Sequence, residues 1–147
     1  MLPNTRNRVP NNTADNVNEE IQRQIEERVR YYAGHPKKIA LRLRELDEEW
    51  DIERAIEANA AAIGFSGIVL GATVDRRWLT LPALVTAFLF QHAIQGWCPP
   101  VPILRRLGFR TAHEIEQERN ALKALRRDYA DIEKAKDQAG AALDAAA

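Results

Sequence analysis

Residues 58–97 read ANAAAIGFSGIVLGATVDRRWLTLPALVTAFLFQHAIQGW, and the fold turns on what surrounds this stretch. From Ala58 to Val74, 17 residues carry no charge; Asp75, Arg76 and Arg77 interrupt, and the 27 residues from Trp78 to Leu104 again carry none. A helix that is apolar all round is either deeply buried or in lipid. Seventeen helical residues reach roughly 25 Å, against a hydrocarbon core of about 30 Å. Extending the helix back over Ile56 and Ala55, with Glu57 and Arg54 near the headgroups, closes that gap. Ala60, Gly64, Gly67 and Gly71 are spaced as helix-packing positions, and GIVLG is of the G-x-x-x-G type that lets a second backbone approach in lipid. DRRWLTLP is short enough to make the two apolar runs antiparallel neighbours, with Pro82 in the first turn of the second, where its missing N–H costs little. Trp78 and Trp97 bracket that second run at positions where interfacial tryptophans are enriched. Arg76 and Arg77 at one end, and Arg105 and Arg106 at the other, complete a candidate membrane-interface set.

Working outward, residues 51–104 form the expected transmembrane helical hairpin, opened by Asp51 as an N-cap and closed by the Cys-Pro-Pro exit. Residues 15–50 predict amphipathic cytoplasmic helices. The first carries Val17, Ile21, Ile25, Val29 and Tyr32 on one stripe, and the second Ile39, Leu43, Leu46 and Trp50. Gly34 followed by Pro36 separates them, the glycine permitting a left-handed cap. Thr111 and Glu114 make a T-x-x-E capping box for a C-terminal amphipathic helix over 111–136, with Ile115, Leu122, Leu125, Tyr129 and Ile132 near heptad spacing. Residues 1–14 are polar and proline-bearing, with no apolar stretch of the signal-peptide kind, and read as a disordered arm. Residues 137–147, low in complexity, read as a disordered tail. The expected class is all-α: a transmembrane helical hairpin flanked by amphipathic cytoplasmic helices.

Composition narrows the function. Lysine plus arginine number 21, as do aspartate plus glutamate, so the chain lacks the basic surplus that phosphate binding needs, and nucleic acid is not an expected partner. One cysteine makes no internal disulfide, and His35, His92 and His113 show no metal-ligand spacing with it. Neither a metal nor a cofactor is expected. The distribution of charge sets topology: Lys37, Lys38, Arg42, Arg44 and Arg54 precede the hairpin and Arg105, Arg106 and Arg110 follow it, against Arg76 and Arg77 at the turn. Under the positive-inside rule both termini are cytoplasmic. The rival picture makes the hairpin the core of a soluble helical bundle, completed by another subunit.

The run from RLRELDEEWDIERAIEANAA through DRRWLTLPALVTAFLFQHAIQGWCPP to LRRLGFRT resembles the YgaP-type inner-membrane domain family. The positions that carry the resemblance are Gly96, Cys98, Pro99, Leu107, Gly108 and Thr111, within residues 40–128. It implies a two-helix hairpin in the bacterial inner membrane, of mostly unknown function, which in some members anchors and dimerises a rhodanese sulfurtransferase domain. Here the rhodanese active-site loop is absent. Pro100, Val101 and Pro102 stand where many members place a tyrosine, and the spacer to Leu107 and Gly108 is longer. The resemblance thus carries a sulfur role to Cys98 only as an alternative.

No catalytic residues are expected. A nucleophilic Cys98 needs an activating neighbour, and His92, six residues earlier, points elsewhere on a helix. The expected partners are membrane lipid and other transmembrane helices, either of the same chain in a homo-oligomer or of a larger membrane complex. The expected role is a non-catalytic scaffold or accessory subunit. The alternatives are a thiol carrier using Cys98 and a soluble helical oligomeric adaptor.

Overall fold

A computed structural model of the chain describes residues 4–130, 135 and 137–146, and among them every regular element is helical. The chain divides into two compact units, Met1–Ile21 with Trp50–His113, and Gln22–Glu49 with Glu114–Ala147.

The first unit is built on α3 (Ile52–Thr73) and α4 (Thr80–Gln95), antiparallel neighbours joined through a turn of 3-10 helix, Arg76–Leu79. The Asp51 carboxylate accepts from the Arg54 backbone N–H at 2.7 Å and starts α3, the N-cap that the sequence predicts. Asp75 plays the same part at the turn, accepting from the Arg77 N–H at 2.8 Å. α4 stops at Gly96, whose φ of 78° is the left-handed conformation that glycine adopts without strain. A short α5 (Val101–Arg106) follows the Cys-Pro-Pro exit, and Gly108 is the second left-handed glycine.

Residues 4–14 differ from the expected disordered arm. They form a turn of 3-10 helix at Pro10–Asn12, and Val9 enters a core with Ile52, Ile56, Cys98 and Val101. Pro10 presets the turn, and Thr13 Oγ donates to the Val9 carbonyl at 2.9 Å. The arm is held by contacts to residues more than eighty positions away, which its local composition does not reveal.

The second unit holds most of α1 (Asp15–Ala33), all of α2 (Ile39–Glu48) and most of α6 (Ala112–Arg126). Its core is Ile39, Leu43, Leu46, Ile115 and Leu122, with Tyr32 packed on it; Leu125 of the last stripe is exposed, while Ile21 and Ile25 of the first stripe are buried. Trp50 is not: α2 ends at Glu48, and the exposed indole carries the Arg54 guanidinium 4.3 Å from its ring centre. Gly34 follows α1 without the left-handed φ expected of it. α6 begins beside Thr111 but ends at Arg126 rather than 136, where Arg127 adopts φ 68°; Ile132 lies outside the described residues. Within the expected disordered tail, Gln138–Ala146 forms α7.

Candidate functional site

The hairpin positions its small and large residues for different tasks. Gly67 and Gly71 are buried against the start of α4: a Cβ at Gly67 would lie 2.6 Å from Pro82 Cδ, and one at Gly71 2.6 Å from Leu79 Cδ2. These two glycines set the close approach of the helices. Gly64 does not take part, since a Cβ there meets nothing within 4 Å, and Ala60 is half-buried. Gly64 and Ala60 instead line a groove of about 380 Å³ on the hairpin surface, with Phe65, Pro82 and Leu89, and Glu57 among its lining residues.

The large apolar residues face outward. Phe65 is 69% exposed and Ile68 53%, and Val69, Leu84 and Phe90 are exposed as well. One continuous stretch among the described residues, Pro36–Thr73, contains a window long and apolar enough to cross a membrane, and only 22% of that window is buried. Its apolar part is α3, because α2 and the residues before Arg54 carry too many charges. α4 has 16 residues, roughly 24 Å of helix, and does not reach that length.

At the turn, Trp78, Arg76 and Arg77 are exposed. At the other end, Trp97 is half-buried, edge-on to Phe88 with centroids 6.5 Å apart, and Arg106 is exposed. Arg105 is a correction to the interface set. It is 1% exposed: its Nε donates to Thr13 Oγ at 3.2 Å, Nη1 to the Phe109 carbonyl at 3.2 Å and Nη2 to Asn18 Oδ1 at 2.9 Å. Arg110 is also buried, so neither cation presents itself to headgroups. Arg105 fastens the N-terminal arm and the start of α1 to α5, and its burial is tolerable because hydrogen-bond acceptors surround it.

The resemblance motif scatters by role. Gly96 is buried, and a Cβ there would run into the Arg8 carbonyl. Thr111 is buried, Pro99 and Leu107 are exposed, and Gly108 has open space around it. Cys98 is buried among Val9, Ile52, Ile56 and Val101, and borders a cavity of about 430 Å³ with Ile56, Phe88, Pro100 and Leu104. Apolar burial of this kind disfavours the thiolate that a reactive cysteine requires.

The residues that sequence reasoning passed over are those of the arm. Arg8 Nη1 donates to the Ala93 carbonyl at 2.9 Å and Asn12 Nδ2 to the Gln95 carbonyl at 2.8 Å, so two side chains satisfy the terminal carbonyls of α4. Pro10 followed by two asparagines was the available signal of an ordered turn. Comparison with family models, curated proteins and solved structures finds no significant match to this chain.

Proposed function

We propose that this chain is a small non-catalytic protein of the bacterial inner membrane, YgaP-like, in which α3 and α4 form a transmembrane hairpin with both termini cytoplasmic. It acts as a scaffold or accessory subunit through helix-helix contacts. One observation carries the reading: α3 beyond Glu57 is apolar on every side yet mostly unburied, with Phe65 and Ile68 facing outward. An apolar surface of this extent in water is a binding surface or an aggregation liability, and lipid satisfies it at no cost. Gly64 and the small residues beside it supply a surface for a neighbouring transmembrane helix. Carbonate extraction of membranes tests the reading: the protein stays in the pellet, and release into the soluble fraction rejects a spanning hairpin.

The shortness of α4 favours a second reading, a soluble oligomer in which another copy covers the same apolar face. That form melts cooperatively in aqueous buffer without detergent, whereas the membrane form aggregates there. Native mass measurement after mild detergent extraction separates a homo-oligomer from a subunit that co-purifies with other proteins.

A further inference from the structure

His92, in the last turn of α4, is 5% exposed, and neither Nδ1 nor Nε2 has a hydrogen-bond partner among the described residues. Buried polar groups are nearly always hydrogen-bonded, so an imidazole in this position calls for a physical explanation. The Gly96 backbone is near enough to act on the ring without forming a hydrogen bond of ordinary geometry. The charged groups that act on it come from two elements, Arg8 on the arm and Glu57 on α3. Glu53, one turn before Glu57, faces Arg8 with Nη2 and Oε1 3.8 Å apart.

The arm rests on this end of α4 through few contacts. Arg8 and Asn12 reach the Ala93 and Gln95 carbonyls, the Arg8 backbone lies against Gly96, and Val9 fills the core beside Cys98. A neutral imidazole is compatible with this packing. A protonated one places a second cation, out of water, beside the Arg8 guanidinium. Glu53 is already engaged by Arg8, and Glu57 is exposed, so its attraction is screened.

We propose that His92 makes the docking of residues 4–14 on the end of α4 pH-dependent, with the arm seated on a neutral ring and displaced when the ring takes up a proton. This does not require the hairpin to be in lipid, so carbonate extraction and the experiment below fail independently.

Cys98 reports on the arm, because it is the only cysteine and shares its core with Val9. The full chain in mild detergent is treated with 4,4′-dithiodipyridine, which reacts with thiols in acid. The rate is divided by that of N-acetylcysteine at each pH, across the two sides of the ordinary histidine value of about 6.5. The relative rate is expected to rise on acidification and to level off once the ring is fully protonated. His92→Leu abolishes the rise, and Glu57→Gln moves its midpoint to lower pH, because the Glu57 carboxylate favours the protonated ring. A wild-type rate that stays flat overturns the proposal, as does a rise that survives in His92→Leu. Should His92→Leu fail to fold by circular dichroism, a midpoint unmoved by both Glu57→Gln and Arg8→Gln overturns it.

Discussion

In the unit formed by Gln22–Glu49 and Glu114–Ala147, α2 buries Ile39, Leu43 and Leu46 and turns Arg44, Glu45 and Glu48 outward. In the unit formed by Met1–Ile21 and Trp50–His113, α3 turns Phe65, Ile68 and Val69 outward, while Arg105, Arg110, Thr13, Thr111 and His92 are buried. The first arrangement is what the hydrophobic effect produces in water. The second leaves an outer apolar surface of the kind that lipid or another protein covers, and it buries Arg105 where hydrogen-bond acceptors surround the guanidinium. On the proposed reading the two units face different solvents, and substitutions of one kind should have opposite consequences in them.

The largest effect is expected where the unit containing α2 departs from its own rule. The Glu118 side chain is wholly buried, accepting from Arg42 Nε at 2.8 Å and Arg28 Nη1 at 3.4 Å. Removing one partner of a buried ion pair costs about 3–5 kcal/mol, because the remaining charge loses compensation. Arg42→Ala should lower the urea midpoint accordingly, and replacing Arg42 and Glu118 together by Met and Leu should restore most of the loss. A loss from Arg42→Ala no larger than that of an exposed pair would mean that water reaches Glu118.

Ile68→Lys against Leu41→Lys tests the comparison directly, because the two residues are almost equally exposed, 53% and 52%. In lipid a lysine near the middle of a helix costs about 3 kcal/mol of insertion, whereas an exposed substitution in water stays within about 0.5 kcal/mol. Membrane-inserted fraction after expression is the measurement. If both lysines are equally harmless, the solvents of the two units are the same.

Much of this contrast was legible in the chain. The uncharged runs, the Asp51 cap, the Gly-Pro break after α1, and Ile39, Leu43, Leu46, Ile115 and Leu122 of the α2 and α6 stripes are local patterns that survive into structure, whereas Trp50 and Leu125 are exposed. What was not legible depends on distant partners. Arg105 looks like a headgroup ligand until Thr13 and Asn18 arrive from roughly ninety residues away, and Val9 has no periodic company to mark it as core. Among the glycines, spacing alone assigns Gly64, Gly67 and Gly71 one role. Only the register of α4 against α3 separates the two that are covered from the one that is not.

That separation gives a smaller effect. Gly67→Ala places a methyl 2.6 Å from Pro82 Cδ and forces the helices apart, a penalty of about 1–3 kcal/mol partly offset by alanine's helix propensity. Gly64→Ala meets nothing within the hairpin and keeps that propensity gain, up to about 1 kcal/mol. Thermal stability in detergent should fall for the first and hold or rise for the second. If Gly64 faces another transmembrane helix, its variant loses oligomer while its monomer remains intact, a loss that no change at Gly67 mimics.

The smallest effect lies at the end of α6, where Arg126 grips Asp128 with two bonds, Nε to Oδ1 at 2.8 Å and Nη2 to Oδ2 at 2.6 Å. Hydrogen bonding from Arg126, and then its charge and that of Lys123, hold the Asp128 carboxyl below its ordinary pKa. A depressed folded value contributes stability above the unfolded value of about 3.9, and that contribution is lost as pH falls through the folded one. The guanidinium is open to solvent, so the pair is worth only a few tenths of about 1 kcal/mol. Asp128→Asn should therefore lower the melting temperature slightly at neutral pH and converge with the wild type in strong acid. Because water surrounds this pair, about 1 M salt should also erase the difference. A difference that persisted in salt would place the end of α6 in a medium ions do not enter, and the contrast between the two units would then stop short of it.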